Sequence, residues 1–138
     1  MKLRILFSFF LVTFFSNCSN DNDANEIHPI VGEWNLVETK TGFGANSTFY
    51  NFGDVIYRFN NEGSLEIESN IPEFDSQTLD YEIVFECVFI DCFGEEEPSD
   101  ILIIDDSREP VLFLDESNLV FGTNNIGDGT DYFFERVP

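Results

Sequence analysis

The sequence is poor in positive charge, in thiols and in long apolar runs. Only 6 of its 138 residues are Lys or Arg and one is His, against 27 Asp or Glu. Lys2 and Arg4 stand at the very start, so the chain beyond them holds 4 cationic side chains and 27 carboxylates, a formal −23. Such a surface repels a phosphate backbone and an anionic lipid face, which excludes nucleic acid as a partner. The single histidine, His28, lies far in sequence from Cys87 and Cys92, and no nucleophile elbow is present. Neither a Ser-His-Asp nor a Cys-His set has anything to build on, so no enzymatic activity is expected. His28, beside Pro29, reads as a solvated linker residue.

Metal sites fare no better. Asp21, Asp23 and Asn25 have the spacing that opens a calcium loop, but Glu26 stands where the turn needs Gly and Gly32 where a bidentate Glu is needed. The runs Glu95–Glu97, Asp105-Asp106 and Asp115-Glu116 fall in loops and read as solvated faces, with weak calcium binding by one of them as the other reading. No metal and no cofactor is expected. What the chain has in quantity is aromatic and aliphatic bulk: 17 Phe, 16% aromatics and 43% hydrophobic residues, enough for a packed core in one domain.

The longest apolar run, Ile5–Phe15, follows Lys2 and Arg4 and has only Ser8 and Thr13 as weak interruptions. As a helix it spans about 16 Å, half the ~30 Å of a hydrocarbon core, so it reads as a secretory signal and not as a membrane-spanning anchor. Phe15-Ser16-Asn17-Cys18 resembles the lipobox of bacterial lipoproteins, with Phe15 where Leu is usual and Asn17 where a small residue is usual. The resemblance implies removal of residues 1–17 and diacylation of Cys18, hence a lipid anchor in the cell envelope, on the outer membrane and facing the periplasm or the surface. The other reading is an ordinary signal peptide with an unrelated cysteine. Residues 18–27, polar and acidic, form a flexible tether.

From residue 28 to 138 the apolar residues recur with period two between turn-forming clusters, which predicts an all-β, up-and-down antiparallel meander. Tyr57 and Phe59 alternate with Arg58 and Asn60, a turn follows at Asn60–Gly63, and Leu65 and Ile67 alternate with Ser64, Glu66 and Glu68. This is a hairpin. Leu79, Tyr81, Ile83 and Phe85 form a half-buried strand. Ile101–Ile104 and Val111–Leu114 are apolar on both faces, joined by the polar connection Asp105–Pro110. Asn118–Gly122 and Asp131–Val137 make the last pair. About eight sequential strands must hide their edges, and closure into a barrel does so, leaving room inside for one small ligand.

The segment Ile30-Val31-Gly32-Glu33-Trp34 carries the Gly-x-Trp of a first strand in lipocalin-like domains, and Tyr132–Val137 resembles the closing strand of small lipocalin-like lipoproteins. The resemblance implies a barrel over roughly residues 28–138, with Trp34 at its closed end, Arg136 over the indole face and Gly32 letting the strand bend. Tyr57, Phe59, Leu65, Ile67, Tyr81, Ile83 and Phe85 are the candidates to line an interior that takes a small apolar or amphipathic ligand.

Export would place Cys87 and Cys92 in an oxidising compartment. Along one continuous strand their Cα atoms would lie about 16 Å apart, too far for a disulfide, so pairing requires the chain to reverse within Val88–Asp91. The alternative is two unpaired core thiols. Two functions follow: a lipid-anchored barrel that binds a small apolar or amphipathic molecule, or a protein-interaction lipoprotein that uses its acidic face or the Cys87–Cys92 tip.

Overall fold

The computed structural model describes residues 27–42, 46–90, 96–123 and 129–138. The signal segment, Cys18, most of the tether and Cys92 lie outside these residues. Nine strands are present among them: β1 (Gly32–Thr41), β2 (Asn46–Phe49), β3 (Val55–Phe59), β4 (Ser64–Ser69), β5 (Gln77–Ile90), β6 (Glu96–Ile104), β7 (Ser107–Leu114), β8 (Asn118–Gly122) and β9 (Thr130–Arg136). From β3 to β9 neighbours pair antiparallel in sequence order, β1 pairs with β3, and β9 returns to pair with β1, from Trp34↔Arg136 to Thr41↔Thr130. The meander is thus a closed eight-stranded barrel with one extra strand.

The extra strand is β2. It pairs with the second half of β1 (Glu38↔Phe49 to Thr41↔Asn46), while β3 pairs with the first half (Gly32↔Phe59 to Asn35↔Ile56). Periodicity did not reveal β2, because all four residues of Asn46-Ser47-Thr48-Phe49 are exposed and no face is marked by burial. The stretch between β2 and β3 covers the outer side of β1, where the Asn35 side chain accepts a bond from Gly53 N (2.7 Å) and donates to Leu36 O (3.2 Å). This explains how Asn35 is buried beside Trp34 and Leu36 without leaving its amide unsatisfied.

The β3–β4 hairpin has the expected register, Tyr57↔Ile67 and Phe59↔Leu65, and β4 alternates strictly between buried and exposed residues. Inward-facing side chains form one core that contains Ile30, Trp34, Leu36, Val55, Tyr57, Phe59, Leu65, Ile67, Leu102, Leu119, Phe121 and Phe134. Phe121 stacks on Phe134 with ring centroids 5.3 Å apart, and Tyr57 lies 4.8 Å from the same ring. These pairs add about 0.5–1.5 kcal/mol each beyond their burial.

Two connections differ from the sequence expectation. The chain turns at Asp105-Asp106 alone, and Ser107–Pro110, expected as a loop, already belongs to β7. Asp105 takes φ +50°, the left-handed conformation that Asp tolerates better than most residues, so the polar run can end in a two-residue turn and resume as strand. β5 runs on as strand to Ile90, with a register shift between Cys87 and Phe89. The reversal that a Cys87–Cys92 disulfide needs is therefore absent from Val88–Ile90.

Candidate functional site

The two ends of the barrel differ in chemistry. At one end the chain enters β1 and leaves β9. Trp34 is fully buried there and donates from Nε1 to Ile30 O at 2.7 Å. The Arg136 guanidinium lies 4.1 Å from the centroid of the indole and donates to Pro29 O (2.6 Å) and Val31 O (3.2 Å). Gly32 sits under this clamp at φ +141°, and a Cβ there would meet Arg136 Nη1 at 2.5 Å. Glycine is required both for the dihedral and for the space. An open groove of about 500 Å³ beside the clamp is lined by Ile27, His28, Pro29, Val31, Leu114, Asp115, Glu116 and Arg136. His28 is half-buried and not a free linker side chain: its Nδ1 accepts from Ile30 N (3.2 Å) and its Nε2 faces Asp100 Oδ2 (3.4 Å).

β7 and β9 lead from the clamp back to the opposite end, where a cavity of about 360 Å³ opens. Every strand from β3 to β9 contributes to it or to its rim: Tyr57, Ile67, Gln77, Leu79, Ile104, Asp105, Asp106, Ser107, Glu109, Phe121 and Tyr132. The volume lies at the lower end of the range for small-molecule sites, and an apolar wall with a few polar groups is their usual composition.

Of the candidates chosen from the sequence, Tyr57 and Ile67 line this cavity. Phe59 and Leu65 are buried in the solid core nearer the clamp, and Tyr81 and Ile83 are half-buried against that core. Phe85 does not line the interior: it is 70% exposed, because β5 has by then passed the level at which β4 covers it and pairs only with β6. Gln77, Leu79, Ile104, Phe121 and Tyr132 were missed as lining residues. For Phe121 and Tyr132 the signal was present, since each keeps period two with a buried residue, Leu119 and Phe134.

Burial pushes the Tyr57 phenol far above its ordinary range, with the nearby Tyr132 and Tyr50 phenols adding to the shift. Tyr132 is raised too, by burial first and then by Glu109 and Tyr50. Both stay neutral through the physiological range. Their shift has a stability consequence. Unfolded phenols ionise near pH 10 while the folded ones hold their protons longer, so the folded state binds more protons there and stability falls as pH rises past about 10. Chemical denaturation at pH 8 and pH 11 should show that fall. Tyr57→Phe should lessen it, and should change stability at pH 8 by less than about 0.5 kcal/mol, because no described residue hydrogen-bonds the hydroxyl.

The comparisons with known proteins bear on this architecture. No family profile and no curated protein matches the chain. Among solved structures, a lipocalin-like protein from Bacteroides uniformis superposes with a TM-score of 0.52 at 13% identity, over 80% of this chain and all of that one. The fold is lipocalin-like. At this identity the likeness carries the fold and nothing beyond it.

Among the described residues no three His, Cys, Asp or Glu side chains gather closely enough to hold a metal ion. Among the described residues the large exposed apolar side chains are Ile27, Phe49, Phe52, Phe85 and Phe113, all outside the cavity.

Proposed function

We propose that the protein is a lipid-anchored, non-enzymatic binding protein of the cell envelope that holds a small apolar or amphipathic molecule in the open end of its barrel. The observation that carries this reading is the open cavity of about 360 Å³, to which every strand from β3 to β9 contributes at the end of the barrel opposite the clamp.

The anchor fits the same geometry. The tether runs from Cys18 to Ile27, which borders the clamp, so a diacylated Cys18 would attach the barrel at its closed end through a flexible segment and leave the cavity mouth free. Ligand could then enter from the aqueous side. A second reading, contact with a protein partner, is favoured by Phe49 and Phe52 beside the extra strand, exposed at 75% and 71%.

A native mass spectrum of the protein recovered from its own envelope tests both parts of the main reading. The expected species begins at Cys18, carries acyl mass on that residue and releases one small molecule on activation. A chain that starts elsewhere without acyl groups would overturn the anchor, and a spectrum of protein alone at high protein concentration would count against a resident ligand.

A further inference from the structure

Building on the interior site proposed above, we infer that its ligand is an amphipathic amine, seated with its apolar body against the cavity wall and its cationic nitrogen at the carboxylates of the β6–β7 turn. The cavity changes character from wall to mouth. Ile67, Leu79, Ile104 and Phe121 supply apolar wall, while Asp105, Asp106 and Glu109 stand at the rim. The two-residue turn exposes both aspartates, and Ser107 Oγ donates to Glu109 Oε1 at 2.8 Å.

No described cation answers these three carboxylates. Arg108, the nearest in sequence, turns to the other face of its strand and pairs with Glu86. Lys40 is held by Glu38 and the Phe133 ring, Arg58 by Glu33, Glu66 and Glu68, and Arg136 by the clamp. An anionic head group would meet three like charges at the mouth, whereas an ammonium group there gains from all of them. A bare metal ion suits the rim poorly, since the acids do not gather into a ligand set. The wall adds a polar handle. Tyr57 is only 6% exposed and lines the cavity, and its hydroxyl, which no described residue hydrogen-bonds, is not among the fully enclosed unsatisfied atoms, so water or the head group of a ligand can reach it there.

Calorimetric titration with three probes of equal chain length, n-octylammonium, 1-octanol and octanoate, each below its micellar concentration, separates head group from body. The protein carries Cys18→Ala, which keeps the rest of the chain and lets it be handled without a competing detergent. n-Octylammonium should bind about tenfold tighter than 1-octanol or better, with octanoate the weakest, as expected if each rim charge contributes within the range of a surface ion pair. Asp105→Asn/Asp106→Asn/Glu109→Gln should bring the three probes together without weakening 1-octanol. Glu62→Gln/Glu116→Gln/Glu135→Gln removes the same charge away from the mouth and should leave the preference intact. The inference is overturned if octanoate binds as well as the amine, if the rim variant keeps the preference, or if the remote variant removes it. Binding of 1-octanol with no preference for the amine defeats the head-group assignment alone. Failure of all three probes in the unmutated barrel defeats the interior site and the amine with it.

Discussion

Trp34→Ala should unfold the barrel at temperatures where the parent protein is intact. Removing a fully buried aromatic of this size costs about 3–5 kcal/mol, and small domains have only about 5–15 kcal/mol in total. More than volume is lost. The indole donates to Ile30 O and carries the Arg136 guanidinium on its face, and Arg136 in turn ties the carbonyls of Pro29 and Val31 to the last strand. Without Trp34 the guanidinium sits above a void, and the β1–β9 seam loses its end clamp. A fall in melting temperature on the order of 15 °C is expected by scanning calorimetry. Arg136→Met, which keeps most of the stem but not the charge, should cost less than half as much. Equal losses for the two variants would show that the clamp acts through the arginine and not through burial of the indole.

The second large effect is at Gly122. This glycine closes β8 opposite Asp131 at φ +146°, and a Cβ built on it would lie 2.4 Å from Thr130 O and 2.6 Å from the Asp131 Cα. Both obstacles are backbone, so no rotamer relieves them, and the β8–β9 ladder must part beside Tyr132. We expect Gly122→Ala to cost about 3 kcal/mol or more, combining dihedral strain with overpacking. Gly42→Ala is the control. Gly42 also has a positive φ, +58°, but nothing lies within 4 Å of its Cβ position, so only the left-handed penalty of about 1–2 kcal/mol applies. Urea denaturation of the two variants separates the terms. Equal costs would mean that the dihedral alone matters at Gly122.

How far the sequence foretold these features depended on whether a local pattern marked them. The β3–β4 hairpin was legible because Tyr57, Phe59, Leu65 and Ile67 alternate cleanly and Asn60–Gly63 supplies the turn. Barrel closure followed from the number of sequential strands with edges to hide. β2 was illegible because strand pairing there is set by backbone contact with β1, and its side chains face solvent on both sides. The cavity was harder still. Period two separates inside from outside but not packed core from lined space, so Phe59 and Leu65 looked the same as Tyr57 and Ile67. Phe85 was misread for a related reason: its parity matches Tyr81 and Ile83, yet parity does not tell where a long strand leaves the barrel. The rim was hidden because Asp105–Pro110 read as a loop, when Ser107 and Glu109 are strand residues aimed at the mouth.

A binding role requires that the barrel interior accept an apolar guest. The direct measurement is a fluorescence titration of the detergent-free Cys18→Ala protein with N-phenyl-1-naphthylamine, a neutral apolar fluorophore, repeated on a form that also carries Leu79→Trp and Ile104→Trp to fill the cavity from two sides. The account predicts a saturable one-to-one rise in emission with the open barrel, and its loss in the filled barrel while the circular dichroism spectrum and the unfolding transition stay in place. Emission that never saturates, or that saturates equally in the filled barrel, would contradict it.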